Sequence, residues 1–467
     1  MNYEMLRRPE GWLLALAGLA WFAAAGGHGA AAFVFAALPG ALLVTSATAT
    51  FLFPGDRSIT RIGATGALLG LVMSVPLLLF APLTAILLAA LSAVAGLAAG
   101  RLASEDIEVP EELEHPGAET RVAAEIALDE GVLGLVTAAM GVWARDEQSR
   151  VAGEVGTIRE WLEAGGWDTA PEAFHEEPPT MGPTTSDTRR VAGLQVEVVR
   201  FDSEFEPRQG APGRDRWLSY AGCRTSEVRL VRHRESEDWL VCVHGLGMGY
   251  SPIDLRAFDA ARLRRQGVNL AFPVLPLHGS RARRRLSGEG FVTGEVADTL
   301  HALTQTAWDL RRIIRWLRAE GARRVGLYGL SLGGYSTALT ASLEDGLDCA
   351  IPAIPAVDLA ELMWFHAGQR ALRLGEGFGL DVSAVAEALR PVSPLAVRPK
   401  TPKDRRFIFA ALADRFVPAA QAYALWEHWD RPEIAWYPGG HLGFRFHPEV
   451  GDFVARALDG TLLAREA

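Results

Sequence analysis

Cysteine is scarce, with three residues in 467, at Cys223, Cys242 and Cys349. They are too few and too scattered for a disulfide framework or a zinc site, and they fit a reducing compartment. No cluster of His, Cys, Asp or Glu has metal-ligand spacing, so neither a metal nor another cofactor is expected. A basic excess is missing as well. The net charge is −10, which argues against nucleic acid as the main partner, because phosphate binding needs concentrated Lys and Arg. Internal repeats and low-complexity arrays are absent. The most telling shortage is local. Residues 11–100 hold three charged residues, Asp56, Arg57 and Arg61. Such a stretch is neither disordered chain nor part of a single soluble globule.

What fills that stretch is apolar. No formal charge occurs from Gly11 to Pro54. A spanning helix needs about 20 apolar residues, so this run accommodates two, with Gly26-Gly27-His28-Gly29 as the turn between them. The second uncharged run, Ile62 to Gly100, is broken near Ala81-Pro82 and accommodates two more. One long tilted helix plus a re-entrant piece also fits there. Arg7 and Arg8 precede the first span, Arg57 and Arg61 lie between the two hairpins, and Arg101 follows the last. Four spans put all of these arginines on one side. Positive residues favour the cytoplasm, so an integral, multi-pass membrane protein with a cytoplasmic N-terminus and a cytoplasmic main region is expected. A signal peptide is the rival reading, since Arg7-Arg8 leads an apolar stretch and Ala23-Ala24-Ala25. Cleavage there would still leave three uncharged spans.

Three regions follow from these patterns: a transmembrane segment over residues 1–101, an acidic linker and helical connector over 102–190, and an α/β domain over 191–467. In the connector, Pro110 and Pro116 interrupt an acidic run, residues 119–164 suit helices, and residues 165–190 read as a loop. The helical part has two open readings, lying on a membrane surface or packing on the next domain.

Beyond residue 191 short apolar runs alternate with helical patterns. Strands are expected at Leu194–Phe201, Glu227–His233, Trp239–Val243, Asn269–Leu275, Arg324–Leu330, Asp348–Ile354, Arg406–Leu412 and Glu433–Tyr437. Helices are expected at Asp254–Arg265, Val296–Ala319 and Leu332–Leu343. That alternation implies a mostly parallel sheet covered on both faces.

One turn in this region carries chemistry. Gly329-Leu330-Ser331-Leu332-Gly333 follows a strand and opens a helix. The turn is so sharp that the serine backbone is strained and only small residues fit two positions away on either side. It exposes the Ser331 hydroxyl at a helix start, where free N–H groups and the helix dipole favour negative charge. On its own the pentapeptide is also what a glycine-rich strand-to-helix turn looks like. Three other stretches add to it: His244-Gly245 after an earlier apolar strand, Asp414 after Phe407–Leu412, and His441 within Gly439-Gly440-His441-Leu442-Gly443. The order Ser, then Asp, then His is the order of one hydrolase architecture.

Over roughly residues 191–465 the chain therefore resembles the α/β-hydrolase superfamily, serine esterase and lipase type. The resemblance implies Ser331 as nucleophile, His441 as base and Asp414 as the acid that orients it. It also implies an oxyanion hole from the N–H groups of Leu332 and Leu246, with Gly245 as the off-by-one alternative for the latter. An insertion at 359–400 matches the place where such proteins carry a lid over the acyl pocket. Asp358 is a rival acid, and His428 and His447 are rival bases. His244 is expected to hold the oxyanion loop, and His278, His301 and Cys242 to be structural. Arg281, Arg283, Arg284 and Arg285 lie on a loop at the carboxyl end of a strand, where they either hold an anionic substrate, face anionic lipid, or form a solvated loop. The activity implied is hydrolysis of a carboxylic ester through an acyl-enzyme, on a small-molecule or lipid ester. A thioesterase, peptidase or acyltransferase would use the same residues, and a non-catalytic membrane scaffold on the same fold is the alternative of another class.

Overall fold

Four helices account for the charge-poor stretch, and its few polar residues explain where they begin. The computed structural model describes residues 8–26, 29–53, 56–140, 145–291, 295–367 and 380–464. Helix α1 spans Pro9–Gly26, α2 Gly29–Leu52, α3 Arg57–Leu77 and α4 Pro82–Ser104. Asp56 caps α3, its carboxylate accepting the Ser58 N–H at 2.9 Å. Pro82 opens α4, in the first turn, where its missing N–H removes no intrahelical bond. The expected break near Ala81-Pro82 falls between α3 and α4, and the expected turn at Gly26-Gly27-His28-Gly29 includes residues 27–28, which lie outside the described residues.

The core among these helices is built from Leu14, Ala17, Trp21, Leu43, Ala67 and Leu88 with further alanines. Small residues let the backbones approach: a Cβ added to Gly18 would lie 3.0 Å from the Gly40 carbonyl oxygen. Buried polar groups are paired, with Trp21 Nε1 donating to Ser92 Oγ at 3.0 Å and Ser46 Oγ donating to the Ile59 carbonyl at 2.7 Å. Leu79, Phe80 and Leu83 are more than four-fifths exposed, at 81%, 82% and 83%. Among the described residues, α3 and α4 are long and apolar enough to cross a membrane.

Helix α5 (Thr120–Met140) belongs to the same compact unit, which comprises residues 1–141, 411–420 and 436–448. Glycine seats it on its neighbours. A Cβ at Gly100 of α4 would lie 1.9 Å from the Ala123 carbonyl oxygen, and one at Gly134 of α5 would lie 1.9 Å from Thr65 Oγ1 of α3. The helix left with two readings by its sequence thus packs on α3 and α4. The unit extends past the expected boundary at residue 101 and takes in two loops from the distant C-terminal part.

Residues 142–410, 421–435 and 449–467 form the second unit. It opens with α6 (Arg145–Gly165) and contains most of a nine-stranded sheet. The strands are β1 Thr185–Val191, β2 Leu194–Asp202, β3 Thr225–Val231, β4 Asp238–Val243, β5 Asn269–Val274, β6 Arg324–Leu330, β7 Cys349–Ala353, β8 Phe407–Ala411 and β9 Glu433–Tyr437. Their order across the sheet is β1-β2-β3-β5-β4-β6-β7-β8-β9. The pairs from β1 to β5 through β3 are antiparallel, and the run β5-β4-β6-β7-β8 is parallel. Strands β4 and β5 are buried at every position, as parallel strands covered on both faces must be. The helices Val296–Ala319 and Leu332–Leu343 have the expected bounds, and the second packs on β6 and β7. Strand β1 was expected to be loop. It is a polar edge strand joined to β2 through Ala192 and Gly193, both with positive φ (48° and 81°), the pattern of a tight two-residue hairpin turn.

Candidate active site

The turn after β6 is as tight as its glycines suggest. Ser331 has φ 56° and ψ −114°, a conformation that costs a non-glycine residue about 1–3 kcal/mol. A Cβ at Gly329 would lie 2.0 Å from the Gly333 carbonyl oxygen, and one at Gly333 would lie 1.9 Å from that of Val243. Both positions therefore require glycine. The Ser331 N–H donates to the Ala353 carbonyl at 2.9 Å, and the Tyr335 N–H donates to the Ser331 carbonyl at 3.0 Å, fixing the turn to β7 and to its own helix. Ser331 is half-buried, and its hydroxyl makes no hydrogen bond among the described residues. It precedes Leu332, the first residue of the helix Leu332–Leu343, whose N–H has no intrahelical acceptor.

The loop after β4 passes beside this serine: a Cβ at Gly245 would lie 3.4 Å from Ser331 Cβ. His244 holds the loop. Its Nε2 accepts the Leu275 N–H at 3.1 Å, so Nδ1 carries the proton and donates to the Gly245 carbonyl at 2.9 Å. Burial pushes the His244 imidazole down to about 4, which keeps it neutral in this role. The Gly245 N–H is engaged by Met248 Sδ at 3.3 Å. The Leu246 N–H makes no hydrogen bond among the described residues. Farther along, Gly249 donates to Asp254 Oδ1 at 3.0 Å, and Arg229 donates to the Gly249 carbonyl at 2.9 Å and to Asp254 Oδ2 at 3.2 Å. The loop is thus fixed at both ends.

The compact unit that contains α1–α5 holds the other two residues of the expected set. Asp414 follows β8 and His441 follows β9. His441 Nδ1 lies 2.6 Å from Asp414 Oδ2, while Asp414 Oδ1 accepts the N–H groups of Phe416 and Val417 at 2.9 and 2.7 Å. Phe416 stacks on the imidazole at 5.1 Å. Burial alone would lower the His441 pKa, but the charge and hydrogen bond of Asp414, with the charge of Asp129, outweigh it and raise the value above 6.5.

Around this pair stand three carboxylates that the sequence reading did not single out. Asp129 of α5 accepts the backbone N–H groups of His441 (2.6 Å), Leu442 (3.0 Å) and Arg415 (3.3 Å). Glu125 accepts the Gly440 N–H at 3.0 Å and lies 3.1 Å from His447 Nε2. Glu130 pairs with Arg415 at 2.6 Å and with Arg61 of α3 at 2.8 Å. The available signal was the spacing of the first two: positions 125 and 129 are i and i+4 on a helix and share a face.

The rivals have other duties. Asp358 caps the helix Leu359–His366 by accepting the Glu361 N–H at 2.9 Å. His428 Nε2 lies 3.0 Å from the Val397 carbonyl, His447 is buried against Glu125, and His301 Nε2 lies 2.8 Å from the Pro212 carbonyl. His278 Nδ1 lies 2.8 Å from the Pro276 carbonyl. Cys242 is buried in β4, and burial raises its thiol pKa well above the usual value. The arginine cluster does not act together. Arg281 cannot reach an anionic substrate, because it is buried in an ion pair with Asp309 (2.9 Å) and donates to the carbonyls of Val274 and Cys223. Arg283 lies over the Tyr220 ring and donates to its hydroxyl at 2.6 Å, and Arg284 pairs with Glu289 at 3.1 Å. Arg285 is exposed and has no partner among the described residues. Of the expected lid over 359–400, residues 368–379 lie outside the described residues.

Comparison with known proteins adds three findings. Residues 281–397, about a quarter of the chain and inclusive of Ser331, match the family described as X-Pro dipeptidyl-peptidase (S15 family). Two Mycobacterium tuberculosis proteins, the uncharacterized proteins MT2702 and Rv2627c, are 41% and 40% identical to this chain over 350 residues, covering 72% of it and 82% of each relative. Among solved structures, an acetyl xylan esterase from a Paenibacillus species aligns with 62% of this chain and 98% of its own, at 17% identity and a TM-score of 0.43.

Proposed function

The chain belongs to the family of the Mycobacterium tuberculosis proteins MT2702 and Rv2627c, and for this serine hydrolase of the α/β-hydrolase type we propose cleavage of a carboxylic ester through an acyl-enzyme on Ser331. The observation that carries the reading is the strained Ser331 turn, with its hydroxyl unengaged and glycines obligatory on either side. In the proposed reaction Ser331 Oγ attacks the acyl carbon as its proton passes to His441 Nε2. Asp414 keeps the Nδ1 proton on His441 and steadies the imidazolium. The N–H groups of Leu332 and Leu246 receive the oxyanion; the engagement of the Gly245 N–H by Met248 favours Leu246 over its neighbour. The imidazolium then protonates the departing alcohol. Water, deprotonated by the same imidazole, releases the acid and restores Ser331.

A fluorophosphonate probe should label the purified protein, and Ser331→Ala should abolish that labelling. Persistent labelling of the variant would sink the assignment. A second reading, amide rather than ester cleavage, is favoured by the match of residues 281–397 to a dipeptidyl-peptidase family. A panel of chromogenic esters beside X-Pro amides separates the two by their kcat/KM.

The same proposal includes the membrane. Four spans with a cytoplasmic catalytic region are supported by the apolar length of α3 and α4, by the exposed Leu79, Phe80 and Leu83, and by the arginines at Arg7, Arg8, Arg57, Arg61 and Arg101. A hydrophobic acyl substrate, lipid included, suits a site tethered at a bilayer. Retention in the membrane pellet after alkaline carbonate extraction, with a C-terminal reporter active only in the cytoplasm, is the expected result. Release into the supernatant or a signal from the opposite side would overturn it.

A further inference from the structure

The base and acid loops are held by a helix that lies far outside the hydrolase part of the sequence. Asp129 of α5 is fully buried at 0% exposure. Among the described residues no Arg or Lys pairs with it. Its oxygens are met instead by three backbone N–H groups, those of Arg415, His441 and Leu442. One carboxylate therefore fastens the residue next to Asp414 and the residue His441 itself, and so fixes the two backbones whose side chains meet at 2.6 Å. Glu125 and Glu130 take the same loops at Gly440 and Arg415, and Glu130 also reaches Arg61 of α3.

The glycines around His441 give an independent sign of this contact. A Cβ at Gly440 would lie 2.7 Å from the Asp129 carboxylate, and a Cβ at Gly439 or at Gly443 would lie 2.0 Å from that of Glu125. The run Gly439-Gly440-His441-Leu442-Gly443 is glycine-rich because α5 stands against it. None of these three glycines has a positive φ, so close approach rather than backbone conformation is what demands them.

We propose that Asp129, supported by Glu125 and Glu130, is a positioning residue for the base and acid, so that the N-terminal helical unit sets the placement of His441 for catalysis. This rests on the reading of His441 and Asp414 as base and acid. The groups facing Asp129 are Asp414 and His441; burial first, then the Asp414 charge, push its carboxyl up to about 7. The charge matters because a carboxylate accepts all three N–H groups, whereas an amide at the same place turns a donor toward one of them.

The test uses the full-length protein with Asp129→Asn beside Ser331→Ala and His441→Ala. Labelling by a fluorophosphonate and hydrolysis of p-nitrophenyl acetate are measured, with thermal unfolding as the check on folding. Displacements of about 1 Å cost on the order of 100-fold in rate, so Asp129→Asn is expected to lower kcat at least tenfold with KM within twofold. The acid limb of its pH profile should move to lower pH, because the Asp129 charge that raises His441 is gone. A wild-type kcat and pH profile in Asp129→Asn, with both alanine variants inactive, overturns the inference and leaves the triad reading intact. Activity surviving in Ser331→Ala or His441→Ala removes that reading and the inference with it. Should Asp129→Asn fail to fold, Gly440→Ala perturbs the same contact from the other side, and a wild-type kcat for that variant also overturns the inference.

Discussion

Gly333→Ala puts the Ser331 turn to its hardest test. The new Cβ would sit 1.9 Å from the Val243 carbonyl oxygen and 2.7 Å from that of His244. Ordinary contact begins near 3.4 Å, so something must move by roughly 1.5 Å. The obstacle is backbone, and it is not free to move. Val243 closes β4 and stands in register with Gly329 of β6, while His244 is fastened to Leu275. Overpacking a rigid core costs about 1–3 kcal/mol, and against fixed backbone the upper end, about 3 kcal/mol, is expected. Relief by opening the turn would carry Ser331 away from the N–H groups beside it, so labelling by a fluorophosphonate should fall at least tenfold. Gly153→Ala and Gly156→Ala in α6 supply the contrast: nothing lies within 4 Å of either added Cβ, and each should gain about 0.5–1 kcal/mol from the loss of a helical glycine. Thermal unfolding and labelling of the three variants are compared. A Gly333→Ala protein as stable and as reactive as wild type would refute the geometry claimed for the turn.

Three further outcomes are expected. Because the His441 pKa is raised above 6.5, the acid limb of kcat/KM should have its midpoint above 6.5, activity rising as the imidazole loses its proton; a midpoint at or below 6.5 contradicts the Asp414 and Asp129 contributions. By linkage, the stability contributed by His441 is full at low pH and is lost as pH rises through its folded value. Arg281→Ala should destabilise by about 3–5 kcal/mol in thermal or denaturant unfolding, since it strands buried Asp309, whereas exposed Arg285→Ala should stay within about 0.5 kcal/mol. Cys223, Cys242 and Cys349 are buried and their thiols are all raised by burial, Cys349 to about 12; a maleimide near neutral pH should leave the native protein unmodified and react with all three cysteines after denaturation.

The features that could be read from sequence are local ones. The Ser331 turn is written in five consecutive residues; the bounds of Val296–Ala319 follow from its amphipathic pattern, and those of Leu332–Leu343 from the strand and turn that precede it. Strand β1 could not be found that way. Its residues are polar and exposed along nearly the whole length, so no alternation marks it, and only the turn at Ala192-Gly193 betrays the hairpin. Arg281 looks like one member of a basic loop, because the buried Asp309 that claims it lies on another element. The role of α5 is hidden for the same reason. Periodicity shows that Glu125 and Asp129 share a face, with Glu130 beside them, but not that the partners of the three are Gly440, His441 and Arg415.

That pairing has a consequence for how the chain is made. Asp129 and the His441 N–H it accepts are 312 residues apart, and Glu125 and His447 are 322 apart. Synthesis at ~5–20 residues per second separates the appearance of these partners by roughly 15–60 s. Over that interval a nascent chain has helices α1–α5, and later its serine turn, but not His441, the proposed base. Loop-closure entropy grows only with the logarithm of length, so the delay is kinetic rather than a heavy penalty on the finished fold, and contacts of such high contact order form late. On the roles proposed for Ser331 and His441, an abortive product stopped before residue 441 carries the serine turn without the base that would draw its proton.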